Sequence, residues 1–178
     1  MNRSISQSLR LPVALAAAAT LAACGGTVDF DVSRSFDVNT GTGTTWTGTQ
    51  AVDLSTDSSA AWKQRKHIDT IEVVSADATI TVIGAGNVAT TGSGSAAFRP
   101  DGATNASQDV SVGTWTNVPL TVGSTIALTP SAELDTFLTD VLKGSGKFSV
   151  VASGTADAAP AIFTVKVSVG AKLKWKPF

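Results

Sequence analysis

Apolar and polar residues alternate most regularly between residues 161 and 175, where every odd-numbered position is apolar. The even-numbered positions carry lysine, serine, threonine or glycine, with Ile162 as the one exception. This alternation predicts a β-strand with one face in a core and the other in water, because successive side chains of a strand point to opposite faces. The apolar set comprises Ala161, Phe163, Val165, Val167, Val169, Ala171, Leu173 and Trp175.

A second alternating segment runs from residue 28 to 38, with Val28, Phe30 and Val32 on its apolar side. Arg34 falls on that same side. A cation there indicates a bulge, a sheet edge or a buried pairing with a carboxylate.

Shorter β-like segments bring the expected total to about eight to ten strands. They cover residues 45–54, 68–74, 76–83, 96–99, 108–114, 115–122, 124–128 and 147–154. The segments 68–74 and 76–83 are either two strands or one strand interrupted near Ser75. Residues 84–95 are rich in glycine and threonine and predict a loop. We expect 147–154 to pair with the final strand as an antiparallel hairpin.

Two segments predict helices. Residues 57–66 begin with hydrogen-bond acceptors and end with cations, which complements the helix dipole. Residues 130–143 follow the cap Thr129, carry Pro130 at a favoured first position and end before Gly144. Their apolar stripe comprises Leu134, Phe137, Leu138, Val141 and Leu142.

Many short strands with two short helices predict an all-β fold. We expect a single antiparallel β-sandwich, or a small barrel, with the helix 130–143 covering one side or end.

The N-terminal segment has the features of an export signal. Arg3 and Arg10 come before an apolar run at residues 11–20, and this run is followed by Leu-Ala-Ala-Cys, which ends at Cys24. The run is too short to span a bilayer as a permanent helix. This segment resembles the lipobox of bacterial lipoproteins, which implies cleavage before Cys24 and transfer of a diacylglyceryl group to its thiol. The alternative is an ordinary secretory signal whose cleavage site happens to precede a cysteine.

These features divide the chain into three parts: a cleaved lipoprotein signal peptide at 1–23, a lipidated N-terminus with a very short tether at 24–27, and a β-sandwich domain at 28–178. The chain has one cysteine, so the lipoprotein resemblance leaves none for a disulfide. Gly25, rather than an aspartate, follows Cys24, which fits sorting to the outer membrane as that family usually shows it. We therefore expect a lipid-anchored protein of the cell envelope.

The charge balance argues against one class of partner. Loss of Arg3 and Arg10 with the signal lowers 13 basic residues to 11, against 14 acidic ones, which leaves a net charge of −3. General nucleic-acid binding depends on a strong basic excess. We therefore expect no nucleic-acid partner.

The glycine-rich segment 84–89 reads G-x-G-x-x-A after a strand-like run and resembles a dinucleotide phosphate loop. That mechanism needs a helix directly after the glycines. Residues 90–95 read Thr-Thr-Gly-Ser-Gly-Ser, which is not a helical sequence. We therefore expect a plain loop between strands and no cofactor.

Catalytic and metal-binding signals are weak. His67 is the only histidine, no G-x-S-x-G or S-x-x-K motif places a nucleophile, and a histidine-based zinc site normally has several His or Cys ligands. Because His67 follows Lys63, Arg65 and Lys66, we assign it to the basic end of the first helix and predict no enzyme.

Two further groups have both a functional and a structural interpretation. Oxygen ligands for calcium occur at Asp101, Asn105 and Asp109, but their spacing differs from that of an EF-hand, so we favour solvated loop side chains. The tryptophans, which could line a sugar or lipid site, are expected to pack in the core, because aromatic residues dominate burial in small β-domains. They are Trp46, Trp62, Trp115 and Trp175.

Four lysines, Lys166, Lys172, Lys174 and Lys176, line the outer face of the last strand. We favour a solvated face that also protects an edge strand from aggregation. The alternative is contact with a partner or with anionic headgroups at a membrane surface.

The preferred function is that of a non-enzymatic binding or structural module held at the envelope. Its partners are the membrane, through acyl chains on Cys24, and an unknown envelope protein. The first alternative is a carrier for an apolar ligand or lipid, with the helix 134–142 as a lid. The second is a hydrolase of unknown substrate.

Overall fold

The computed structural model describes residues 25–177. The predicted signal peptide, Cys24 and Phe178 lie outside these residues. The described part contains eight β-strands: β1 Gly26–Asn39, β2 Thr45–Asp53, β3 Ile68–Ile83, β4 Thr91–Pro100, β5 Val110–Pro119, β6 Thr125–Ala127, β7 Lys147–Ala156 and β8 Ile162–Trp175. It also contains three α-helices, α1 Leu54–Asp57, α2 Ser59–Lys63 and α3 Glu133–Lys143, and a 3₁₀-helix at Ala106–Gln108.

The strands form two antiparallel four-stranded sheets. Sheet A has the order β1-β8-β3-β6 and sheet B the order β2-β7-β4-β5. Two sheets enclosing one core make a sandwich, so the predicted all-β sandwich is confirmed and the barrel alternative is not. With the chain crossing repeatedly between the sheets, this strand order is that of an eight-stranded jelly roll.

Strand β8 is confirmed as a half-buried strand at the centre of sheet A. It is hydrogen-bonded to β1 on one side and to β3 on the other. Val165, Val167 and Val169 are at most 2% exposed, whereas Lys166 on the opposite face is exposed. The period of two therefore identified both the strand and its core face.

Two questions left open by the sequence have clear answers in sheet A. Strand β3 is one continuous strand whose register with β8 shifts between Val73 and Ser75, as a bulge does. β1 pairs with β8 without a shift, so Arg34 does not mark a bulge. Arg34 instead lies on an edge strand, where its guanidinium pairs with Asp57 and its Nε donates to the carbonyl of Ala51 at 2.8 Å.

The predicted hairpin between the last two strands is wrong. β7 lies in sheet B between β2 and β4, and β8 lies in sheet A. Residues 157–161 therefore carry the chain from one sheet to the other. Alternation shows which residues face the core, but both sheets offer the same kind of core face, so it does not select the neighbouring strand.

The predicted loop at 84–95 is too long, because β4 already begins at Thr91. Gly92 and Gly94 lie within β4, where a neighbouring group comes close: a Cβ on Gly94 would be 2.7 Å from the carbonyl oxygen of Ser153. Glycine inside a strand often marks such a close approach, and here it was mistaken for a loop signal. Segments 108–114 and 115–122 likewise form the single strand β5.

The predicted helix 57–66 is replaced by two short helices, of which the first begins earlier, at Leu54, and the second ends earlier, at Lys63. Asp53 caps α1 by accepting from the backbone N–H of Ser55 at 2.9 Å, and α2 ends at Lys63. The second helix begins at Glu133 rather than at Pro130 and ends before Gly144 as predicted. Its buried stripe consists of Leu134, Leu138 and Leu142.

The sandwich has two distinct ends. The helical end holds α1, α2 and α3, the start of β1 and the end of β8. The loop end is formed by residues 40–44, 84–90, 120–124 and 157–161. No helix within residues 25–177 has the length and apolar character needed to cross a membrane.

Candidate functional site

The helical end contains the point where the chain enters the fold. Gly26 lies opposite Trp175 in β8, and Trp175 lies opposite Ile68 in β3. A Cβ on Gly26 would be 2.8 Å from the indole of Trp175, and a Cβ on Gly25 would overlap the Trp175 carbonyl. The two residues after Cys24 are thus packed against β8, and sheet pairing begins two residues earlier than the predicted domain boundary at Val28.

A basic segment, residues 63–67, lies beside this entry point. It reads Lys-Gln-Arg-Lys-His and connects α2 to β3. The backbone N–H of Lys176 donates to the carbonyl of His67 at 3.0 Å, so the segment is fixed next to the end of β8. The predicted assignment of His67 to the helix itself is wrong, because α2 ends four residues earlier at Lys63.

Arg65 gives the basic segment a defined conformation. Its guanidinium carbon lies 4.2 Å from the ring centroid of Trp62, and its Nη1 donates to the Trp62 carbonyl at 3.0 Å. A cation stacked on an indole face is attracted by the ring quadrupole. Trp62 in turn lies against Gly146, where an added Cβ would be 2.5 Å from the ring.

The four lysines predicted as a surface contact do not form a uniformly basic row. Lys174 pairs with Glu72 at 3.4 Å, Lys176 pairs with Asp69 at 2.8 Å, and Lys172 lies opposite both Asp29 and Glu72 in the sheet register. Exposed pairs of this kind contribute little to stability, but they reduce the local positive charge. Lys166 differs, since Ser35 and Thr79 are its register partners.

The loop considered as a calcium site, for which we favoured solvated side chains, is held at Asp109 by an ion pair. Arg99 donates to both carboxylate oxygens of Asp109, at 2.6 and 2.7 Å, and this hydrogen bonding raises the pKa of Arg99. A bidentate pair occupies the oxygens that a metal would need. Within residues 25–177, no three His, Cys, Asp or Glu side chains form a group suited to a metal ion.

All four tryptophans contact the core, as the structural interpretation predicted. Trp115 is buried, and Trp46, Trp62 and Trp175 pack against the core at its margin. Trp46 stacks on Trp115 with ring centroids 6.3 Å apart and meets Phe163 edge-on at 5.9 Å.

Two surface depressions among the described residues offer no evident catalytic group. A groove of about 350 Å³ between edge strands β1 and β2 is lined by polar residues, several of them threonines, together with Phe36, Val38 and Trp46. A hollow of about 400 Å³ at the helical end contains Arg34, Asp53, Asp57 and Lys147. Arg34 pairs with Asp57, and Lys147 lies 3.9 Å from Asp53, so these charges largely balance one another.

The side chains on the inner faces of the two sheets pack against each other and fill the core. Leu134, Leu138 and Leu142 of α3 are completely buried, as is Leu173 of β8. The helix therefore closes the end of the core by direct packing, which is what a solid sandwich requires and a ligand lid does not.

No protein-family model and no curated protein matches the chain. Among solved structures, Desmodium yellow mottle tymovirus is 12% identical, covers 99% of this chain and 98% of its own, and has a TM-score of 0.40. The decameric BFDV capsid protein is 11% identical, covers 84% of this chain and 99% of its own, and has a TM-score of 0.45. Likenesses this distant carry no information about what the present chain does.

Proposed function

We propose that this protein is an exported lipoprotein that holds a non-enzymatic β-sandwich at the cell envelope through acyl chains on Cys24. The observation that carries the proposal is the position of the lipobox cysteine, two residues before the first paired residue of the sheet, Gly26. An anchor at Cys24 would act on the folded body through almost no linker.

The length of that connection sets the geometry of the anchored protein. Two residues beyond Cys24 reach at most about 7 Å when extended. Gly25 and Gly26 are packed against Trp175, which shortens the free length further. The helical end would therefore rest on the membrane surface, with the loop end directed away from it.

The non-enzymatic part of the proposal is supported by how the candidate groups are used. Asp109 is bound by Arg99, the two cations of the hollow at the helical end pair with Asp57 and Asp53, and no polar side chain is buried among the described residues. A binding or structural module that meets its partner through its outer faces needs none of these groups for chemistry. A turnover activity that one substitution in the domain abolishes would contradict this part.

Metabolic labelling with an alkyne fatty acid in a bacterial host tests the anchor. We expect the wild-type chain to carry label, to begin at Cys24 by mass spectrometry and to sediment with membranes. The variant Cys24→Ser should lose all three properties, whereas the neighbouring control Thr27→Ser should keep them.

A mature chain that begins at Cys24 with a free thiol would overturn the proposal and indicate an ordinary secretory signal. Separation of inner and outer membranes on a density gradient then tests the predicted outer-membrane sorting.

A further inference from the structure

We infer that the basic segment, residues 63–67, is a contact site for anionic lipid headgroups beside the acyl anchor. This inference rests on the proposed lipid anchor and adds which surface of the domain meets the membrane and which lipids it prefers. The proposed headgroup contact is thus this segment and not the four lysines of β8, because carboxylates on β1 and β3 lie beside most of those lysines.

The sheet register places the basic segment next to the anchor. Gly26, Trp175 and Ile68 lie side by side on β1, β8 and β3. Two strand spacings separate Gly26 from Ile68, a distance of about 10 Å. Lys66 and His67 directly precede Ile68 in the chain, and α2 also contacts β1.

The positive charge at this point is not cancelled by neighbouring carboxylates. Residues 25–27, 63–72 and 174–177 contain five Lys or Arg side chains and two carboxylates, Asp69 and Glu72, which pair with Lys176 and Lys174. Lys63, Arg65 and Lys66 form no ion pair within the described residues, and both lysines are exposed. A surplus of three cations therefore remains next to Gly25.

The rest of the surface does not offer the same match. Of the α3 carboxylates, Asp135 accepts from the backbone N–H of Val73 at 2.8 Å and lines a hollow with Asp69. This one acidic side chain lies beside β3, and the three unpaired cations of the basic segment still outnumber it. The loop end contains no Lys or Arg in residues 40–44, 84–90, 120–124 and 157–161, and its single charged residue is Asp157. An anionic surface is thus attracted most strongly where the anchor would hold the protein.

The test uses the mature chain from Cys24, because every buried core residue lies between Phe30 and Leu173. One 14-carbon chain is coupled to its only thiol, which gives weak and reversible membrane binding. Partitioning is then measured with neutral phosphatidylcholine vesicles and with vesicles containing one part in three phosphatidylglycerol, at low and high salt. Each cation near an anionic surface should strengthen binding about fivefold.

We expect a strong preference for the anionic vesicles that high salt removes. Lys63→Gln with Lys66→Gln should weaken anionic binding about 25-fold and leave neutral binding unchanged. The single variant Lys66→Gln should weaken binding to anionic vesicles about fivefold. Its matched control, Lys166→Gln, should leave that binding unchanged. All of these side chains are exposed, and unchanged unfolding temperatures would exclude misfolding.

Equal binding to both vesicles, or equal losses for Lys66→Gln and Lys166→Gln, would overturn the inference while leaving the anchor intact. The acyl chain is attached chemically here, so the outcome does not depend on processing in cells. Failure of fatty-acid labelling at Cys24 would instead overturn the anchor, and with it the role of the basic segment at a membrane.

Discussion

The two ends of the sandwich close the same core by different means. At the helical end, Leu54, Leu134, Leu138 and Leu142 are completely buried and fill the space between the sheets. At the loop end, specific hydrogen bonds hold the loops over an aromatic group formed by Trp46, Trp115 and Phe163. The buried residues in the loops and directly beside them are smaller on average: Ala89, Leu120, Ala156 and Ala161.

The loop end depends on polar groups that fix one loop to another. Asn87 accepts from the backbone N–H of Ile162 at 2.8 Å, and the hydroxyl of Thr40 accepts from that of Ala161 at 2.9 Å. Asp157 binds Thr90 and Thr91. Hydrogen bonds exchange for bonds to water on unfolding and each contribute about 1 kcal/mol, whereas a fully buried leucine contributes more.

If Cys24 carries the proposed anchor, the two ends would serve different purposes. The helical end, which would lie beside the anchor, gains most of its stability from apolar burial, which does not depend on the titration of a side chain. The opposite end has a surface made of short loops with little charge, in which Val88 and Val122 are exposed. Loops tolerate sequence change better than packed helices do, so the loop end is the one at which the sequence can vary without loss of the fold.

The largest expected effect comes from removing a helical-end side chain. Leu138→Ala leaves a cavity at a site that is 0% exposed and should cost about 3–4 kcal/mol of unfolding free energy. Leu120→Ala at the loop end, where the side chain lies at the surface of the core, should cost about 2 kcal/mol. Urea unfolding of both variants measures the two losses, and equal losses would contradict the distinction between the ends.

The next largest loss of stability is expected from replacing a glycine, and two glycines with similar backbone conformations can be compared. Both Gly146 and Gly41 have a positive φ, +73° and +57°, at which a Cβ costs about 1 kcal/mol. An added Cβ at Gly146 also meets the ring of Trp62, whereas at Gly41 nothing lies within 4 Å.

We therefore expect Gly146→Ala to cost about 2–3 kcal/mol and Gly41→Ala about 1 kcal/mol, measured by thermal unfolding. A loss at Gly146 no larger than at Gly41 would show that Trp62 moves aside freely.

The sequence predicted the strands better than their arrangement. Alternation identified β8 and its core face, since that pattern follows from local geometry alone. Pairing depends on which sheet receives each strand, and the sequence of β7 fits a neighbour in either sheet, which is why the hairpin was predicted wrongly. Gly92 and Gly94 were assigned to a loop because the groups that approach them, Leu120 and Trp115, are distant in the chain.

The candidate site shows the same limit. The four lysines of β8 were visible in the sequence, but the carboxylates beside them come from β1 and β3 and became visible only with the register. The basic character of residues 63–67 was also visible. Its position next to Gly25 was not, because it follows from the pairing of both β1 and β3 with β8.

The smallest effect should come from a carboxylate at the loop end, and it should depend on pH. Asp157 accepts from the hydroxyl of Thr90 at 2.5 Å and from the backbone N–H groups of Thr90 and Thr91 at 2.9 and 3.1 Å. These hydrogen bonds lower the pKa of Asp157 from 3.8 to about 2. The charged form is therefore favoured by folding.

The sign of the pH dependence follows from that shift. A carboxylate whose pKa is lower in the folded state stabilises it above pH 4, and this contribution is lost as the pH falls from about 4 to about 2. Asp157→Asn should lower the unfolding midpoint at pH 7, and its difference from the wild type should narrow over that acid range. Asp101→Asn, at an exposed carboxylate that accepts no hydrogen bond from the described residues, should show neither change. If the difference in unfolding midpoint between the wild type and Asp157→Asn stayed constant down to pH 2, the charge of Asp157 would not hold the loop end. Backbone contacts would hold it instead, such as the hydrogen bond from the Asp157 N–H to the Thr91 carbonyl at 3.1 Å.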